Sequence, residues 1–299
     1  MMRMHENQLE LTLPIVARLV STQFPQWSAL PLQPVISTGT VNQLFRLGEK
    51  WLLRFPLEAG DVENSLRELQ AEFRSAEFLL GKVPLKTPEP VAIAEPGPGF
   101  PLPWSIYRWI PGQVVHQNEV TDQLDLAVRL AGFVTALRSL DTAGRSFSGS
   151  GRGGSLTSQD EYVAEALARN RGLIDIDRLG ALWQRLRKAP RPDGSDRWTH
   201  GDLMPGNLLL QDERLSAVID VATLSPADPA LDLMPAWNLL DPASREVYRS
   251  ELGCSDAEWQ RGKAWALAQA VGCLYYYRVS NPAMSQTAER TLLALLDDE

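Results

Sequence analysis

Cysteine and histidine are scarce in this chain of 299 residues: two cysteines, Cys254 and Cys273, and three histidines, His5, His116 and His200. The cysteines form no C-x-x-C and have no paired histidines beside them, so the spacing of a zinc site is excluded. Reduced core thiols in a cytoplasmic protein are the expectation, not a disulfide. Three scattered histidines exclude a histidine-rich metal site. No run of about 18 apolar residues occurs, which excludes a membrane span. The first twenty residues mix charges and lack the apolar stretch of a secretory signal. A basic excess is missing too: net charge is −8, so nucleic acid is not expected as the main partner. No G-x-x-x-x-G-K-[ST] is present, which excludes a P-loop nucleotide site by pattern.

What remains is ordinary globular composition, 44% hydrophobic and 22% charged. At about 150 residues per domain the length implies two domains or one bilobal unit. The charge is unevenly placed, net −1 over residues 1–110 and −7 over 111–299. Such a second half suits a cationic ligand or simply an acidic, solvated surface.

Apolar spacing predicts a leading amphipathic helix over 7–22, despite Pro14. Three short strands follow between Pro34 and Phe55, then a helix over 61–80 ending at Gly81. Residues 84–103 are proline-rich loop enclosing one strand, Val91–Ala94. A buried strand is expected over 105–110, stopped by Pro111-Gly112. This part reads as a small, mostly antiparallel β unit with one main helix across it. Beyond Gly112 the texture turns helical: 119–140, 158–171, 175–188, and from about 243 onward. A Gly/Ser loop occupies 146–155, and a strand, loop and hairpin lie between Arg197 and Leu224. The spacing of Trp237, Trp259, Trp265 and Tyr275-Tyr276-Tyr277 predicts core.

The informative segment is His200-Gly201-Asp202-Leu203-Met204-Pro205-Gly206-Asn207, with Asp220 following the apolar run Ala217-Val218-Ile219. An Asp, an Asn five residues later and a second Asp past a hairpin suit phosphoryl transfer with magnesium. One carboxylate orients the attacking hydroxyl and accepts its proton. The amide oxygen and the second carboxylate are hard ligands for Mg²⁺ on the ATP phosphates. The order is that of H-R-D-x-x-x-x-N followed by D-F-G, with Gly201 in place of the Arg.

HGDLMPGN together with VIDVATLSPADPALDL resembles the aminoglycoside phosphotransferase family of small-molecule kinases. The resemblance covers roughly residues 30–280. It implies an α+β, bilobal protein-kinase-like fold: a nucleotide-binding lobe over 1–110, a hinge at about 108–112, and a helical lobe over 111–299 holding the catalytic loop and acceptor site. By the same resemblance Asp202 is the catalytic base, and Asn207 and Asp220 are the magnesium ligands. Asp232 ties down the catalytic loop, while Asp228 makes local turn bonds. Arg54 stands where the family carries a phosphate-binding Lys, exchanging a compact ammonium for a planar fork. Glu72 is the best match for its paired carboxylate, with Glu68 and Glu77 as alternatives.

Thr38 and Gly39 lie in the expected nucleotide-covering loop. Leu52 is assigned to the adenine wall, and Arg108, Trp109 and Ile110 to a hinge whose main chain meets adenine. Gly151-Arg152-Gly153-Gly154 reads equally as a substrate-contacting loop or a plain linker. Asp160, Glu161, Glu165, Asp256 and Glu258 read as solvated face. The implied reaction moves the γ-phosphate of ATP to a hydroxyl of a small molecule, for which aminoglycosides, macrolides, choline-like alcohols, amino-acid hydroxyls and sugars are open alternatives. Macrolide kinases tend to carry His at the position of Asn207. A non-catalytic nucleotide-binding or scaffold protein on the same fold is the contrasting expectation.

Overall fold

The computed structural model describes residues 8–36, 39, 41–115, 120–149, 151–192 and 194–299. It divides into two units: Met1–Leu80 with Lys86–Pro111 and Asp220–Ala222, and Gly81–Leu85 with Gly112–Ile219 and Thr223–Glu299.

The first unit is built on five antiparallel strands, β1 (Leu32–Val35), β2 (Asn42–Leu47), β3 (Trp51–Pro56), β4 (Pro90–Ala94) and β5 (Trp104–Arg108), in the order β1-β2-β3-β5-β4. Side chains alternate across a strand, so β3 serves two environments. Leu53 and Phe55 enter a core with Val16, Leu19 and Val20 of helix α1 (Leu13–Gln23) and with Phe45, Phe100 and Trp104. There Phe55 stacks on Trp104 at 4.6 Å between centroids and meets Phe45 and Phe100 edge-on. Leu52 and Arg54 take the opposite face, cross-strand from Tyr107 and Ser105 of β5. Helix α2 (Val62–Leu79) is N-capped by Asp61, which accepts the Asn64 N–H at 2.8 Å, and buries Leu69, Glu72, Ala76 and Leu79.

The first unit departs from the sequence expectation in two places. Its leading helix starts at Leu13, not at residue 7, because Pro14 lacks an N–H and is tolerated in the first turn only. The strand expected to run to 110 ends at Arg108.

In the second unit β6 (Gln113–Val114), β8 (Leu208–Gln211) and β9 (Arg214–Val218) form one small sheet, and β7 (Arg197–Thr199) pairs with β10 (Ser225–Ala227). The β8–β9 turn places Asp212 and Glu213 at φ 52° and 61°, the left-handed pair that a two-residue hairpin requires. Around these sheets pack α3 (Gln123–Ser139), α4 (Asp160–Arg169), α5 (Ile176–Leu186), α6 (Pro235–Asn238), α7 (Pro242–Leu252), α8 (Asp256–Tyr276) and α9 (Pro282–Asp297). Helix α8 is buried on every side from Arg261 to Gly272, as befits a central helix. Gly262 permits the approach of Leu233, whose Cβ lies 2.7 Å from where a glycine-borne Cβ would sit. Trp237, Trp259 and Trp265 are core. The tyrosine run is not: Tyr276 is exposed and Tyr275 and Tyr277 are half-buried, because α8 ends there and its last turn leaves the core. Both cysteines are free and half-buried. Among the described residues no helix is long and apolar enough to cross a membrane.

Phe55→Ala should cost about 3–5 kcal/mol, read as a fall in the urea midpoint. A loss below about 1 kcal/mol would show that the aromatic stack does not carry this core.

Candidate active site

In the second unit the His200–Asn207 segment is held largely by side chains bonded to main-chain groups. Asp232, fully buried, accepts the His200 N–H and the Gly201 N–H, each at 2.9 Å. Burial pushes the Asp232 carboxyl above its ordinary value, against the pull of His200 and the two N–H donors. Tyr248 Oη donates to the Asp232 carbonyl at 2.7 Å, tying α7 to the same point. The His200 ring donates from Nε2 to the Ile219 carbonyl (3.1 Å), while Nδ1 accepts the Asp202 N–H (3.3 Å); this pairing selects the neutral, Nε2-protonated tautomer. Gly201 adopts φ 81°, with a hypothetical Cβ only 3.2 Å from the Thr223 carbonyl, so glycine is required there. Thr223 Oγ1 in turn donates to the His200 carbonyl at 2.6 Å.

Asp202 is thereby presented at a fixed point, partly exposed. Its Oδ1 accepts from Gln269 Nε2 at 2.8 Å and Arg152 Nη2 at 2.9 Å. Among the described residues its Oδ2 accepts only the longer 3.2 Å bond from Asn207 Nδ2, which also donates to the Asp202 carbonyl at 2.9 Å. The Asn207 amide nitrogen is therefore used within the loop, and its oxygen is the atom left for an external cation. The Ile219 N–H donates to the Asn207 carbonyl at 2.8 Å, so the β8–β9 hairpin sets Asn207 opposite the residue that precedes Asp220.

In the first unit Arg54 and Glu72 form a buried ion pair. Arg54 lies 5.2 Å above the Tyr107 ring, and Phe73 of α2 meets the same ring at 5.1 Å. Burial opposes the Arg54 charge, but Glu72, then Asp220, hold the guanidinium above its ordinary value; it is a permanent cation. Burial pushes the Tyr107 phenol far up, which keeps it neutral. Asp220 belongs to this unit and stands at φ 63°, a left-handed conformation that costs a non-glycine residue about 1–2 kcal/mol. Of the three glutamates considered for Arg54, Glu68 accepts from its own helix neighbour Asn64 and Glu77 is exposed, whereas Glu72 faces the sheet.

The remaining expected nucleotide contacts are less uniform. Leu52 is half-buried on the Arg54 face of β3. The Arg108 N–H donates to the Glu89 carbonyl (2.9 Å) and the Trp109 N–H to the Lys50 carbonyl (2.8 Å), so neither is available to a base. The Arg108 side chain pairs with Glu89 and covers Trp51, and Arg46 covers Trp109 at 4.8 Å. Among the described residues no such backbone bond involves Ile110. Gly39 lies between β1 and β2; Thr38 lies outside the described residues. Asp228 does more than the expected turn bonds, since it also accepts from Arg261 and from Trp265 Nε1 in the core.

Two residues at Asp202 were not assigned to the site from sequence. Gln269 on α8 carries no motif, and Arg152 sat in a segment that read equally as linker. Asp232→Asn should cost about 1–3 kcal/mol, because an amide can accept only one of the two N–H bonds and turns a donor toward the other. Urea melts check this; an unchanged midpoint would mean that the loop is held elsewhere.

Residues 33–265 match the family model described as the phosphotransferase enzyme family, APH. No curated protein sequence matches the chain. Among solved structures the chain is similar to the GDP and kanamycin complex of APH(2")-IIIa, at 20% identity and TM-score 0.71, covering 95% of this chain and 99% of that one. It is similar also to the streptomycin–ATP complex of APH(2")-IIa, at 16% identity and TM-score 0.60, covering 95% and 97%. A third likeness is to macrolide 2'-phosphotransferase MphH from Brachybacterium faecium, at 19% identity and TM-score 0.61, covering 94% and 98%. At these identities the structural likenesses establish the kinase-like fold, and the family match spans most of the sequence. The chain belongs to the APH phosphotransferase enzyme family and is a small-molecule kinase.

Proposed function

We propose that this protein transfers the γ-phosphoryl group of ATP to a hydroxyl of a polar small molecule, with Asp202 as catalytic base. The observation that carries the reading is the asymmetric bonding of the Asp202 carboxylate. Oδ1 is committed to two donors, while Oδ2 holds one long bond and can take the acceptor hydroxyl. The oxygen–phosphorus bond to the acceptor forms as the bond from γ-phosphorus to the β–γ bridging oxygen breaks, and the hydroxyl proton passes to Asp202. Arg54, fixed by Glu72, binds the α/β-phosphates as a fork. The first unit is the nucleotide lobe and the second holds the acceptor.

Asn207 and Asp220 offer one amide and one carboxylate oxygen, the hard donors that Mg²⁺ takes when phosphates and water complete its shell. When bound, the ion supplies charge neutralisation at the phosphates. Neighbours solved with GDP and with ATP support a nucleotide donor, and those solved with kanamycin and streptomycin support a polar, hydroxyl-bearing acceptor.

Asp202→Asn should lower turnover by about 10²–10⁴-fold while preserving the thermal shift produced by ATP plus Mg²⁺. Unchanged turnover removes Asp202 from the reaction. A wild-type protein that ATP plus Mg²⁺ does not stabilise overturns the nucleotide reading and leaves a scaffold protein on the kinase fold.

A further inference from the structure

The side of Asp202 away from Asn207 is built from residues that no motif announces. Arg152 forms an ion pair with Asp202 and reaches toward the Gly201 carbonyl at 3.4 Å. Its position is not that of a loose loop. Gly153 stands at φ 114°, where a Cβ would lie 2.8 Å from Ala227 Cβ. The Gly153 carbonyl accepts the Asp228 N–H at 2.9 Å and Arg191 Nη1 at 3.2 Å. The Gly154 carbonyl accepts from Arg191 at 2.9 Å, and Arg191 is itself held by an ion pair with Asp196. The Phe147 ring packs on both glycines. The chain is thus pinned directly after Arg152, and the segment is a mount for that side chain.

The other members of this wall are neutral. Gln269 is buried and spends its amide nitrogen on Asp202. Cys273 feels both Arg152 and Asp202, and burial pushes its thiol up to about 11. Tyr162, which also feels Arg152, occupies the space that Gly272 leaves open on α8, and burial raises its phenol. Among the described residues no hydrogen bond or ion pair joins a second carboxylate to Arg152 or Gln269. Of the acidic residues expected on a solvated face, Asp160 pairs with Arg187, Glu165 with Arg169, Asp256 with Arg249 and Glu258 with Arg138, while Glu161 is exposed on α4.

A guanidinium has five N–H donors, and Arg152 uses one nitrogen, Nη2, for Asp202 and the Gly201 carbonyl. Its side chain remains about a quarter exposed, at 27%. Among the described residues no other acceptor is bonded to Arg152, so the N–H donors of Nε and Nη1, on different edges of the guanidinium, remain for single hydrogen bonds to an oxyanion beside Asp202, and the charge is repulsive to an ammonium. We propose that Arg152 is the specificity-determining residue of the acceptor site, and that the acceptor carries an oxyanion, carboxylate or phosphate, close to the hydroxyl that is phosphorylated. The inference rests on the phosphotransfer reading and narrows it to hydroxylated anions.

The test compares labelling from γ-labelled ATP of glycerate, glycerol phosphate, glycerol and kanamycin, alongside calorimetric binding of the same four. Wild type should bind and label an anion in preference to glycerol and kanamycin; glycerate against glycerol phosphate separates carboxylate from phosphate. Arg152→Ala should raise KM for the anion about 10- to 100-fold with a smaller change in kcat, and Arg152→Lys should recover part of it. Failure of wild type to bind either anion, or labelling confined to glycerol or kanamycin, overturns the anionic acceptor while leaving phosphotransfer intact. An equal loss of kcat on every acceptor in Arg152→Ala assigns Arg152 to positioning Asp202 and overturns the specificity role. Absence of any nucleotide effect on the melting temperature strikes the phosphotransfer reading instead.

Discussion

The second unit's chemistry hangs on one buried carboxylate. Asp232 gives its two oxygens to two consecutive backbone N–H groups, His200 and Gly201, at equal distance. No side chain but a carboxylate can do this, because an amide has one accepting oxygen and an alcohol one. Everything around the pair follows the same economy. The Gly201 turn has no room for a Cβ, Thr223 satisfies the His200 carbonyl, and the neutral His200 ring bridges Asp202 to Ile219. A buried polar loop is stable only when each group finds a partner, and here the partners also dictate where Asp202 points.

A second buried charge organises the first unit. Arg54 reaches the Glu72 carboxylate because β3 alternates its faces and α2 turns every third or fourth position inward, Leu69, Glu72, Ala76 and Leu79. That helical period separates Glu72 from Glu68 and Glu77, a choice that spacing alone left open. Pairing makes the burial tolerable: either charge alone would carry a desolvation cost of several kcal/mol. Arg in place of Lys fits a site with an aromatic floor, since a planar guanidinium can lie over the Tyr107 ring while still donating to Glu72.

The legible part of this protein was its short-range part. His200 to Asn207 is eight consecutive residues, so its spacing carries the geometry. Strands β2 and β3, helix α2 and the proline-rich connection also follow from local pattern. Contacts at long separation were not legible. Arg152 and Gln269 lie 50 and 67 residues from Asp202, and nothing in their own neighbourhoods marks them. The Gly151–Gly154 segment read equally as substrate-contacting loop and as linker because glycine signals freedom; here Gly153 and Gly154 permit the close approach of Ala227 and Phe147. Nor does a motif position reveal that Glu89 and Lys50 accept the Arg108 and Trp109 N–H groups.

Net charge is the clearest case of a global quantity that says little about a site. The residues from 111 onward carry −7, which invites a cationic ligand. Much of that acid is structural. Asp122, Asp175 and Asp241 cap helices by accepting the N–H three residues on, where a negative group also favours the helix dipole. Asp160, Asp228 and Glu258 hold arginines between elements, and Asp232 holds backbone. Exposed charges more than about 8–10 Å away are screened at physiological salt, whereas a guanidinium at 2.9 Å is not. The local field at the reacting oxygen is therefore set by Arg152 and its neutral neighbours. An acidic lobe and a site that selects for anions are compatible, because the first is arithmetic over a surface and the second is geometry at one carboxylate.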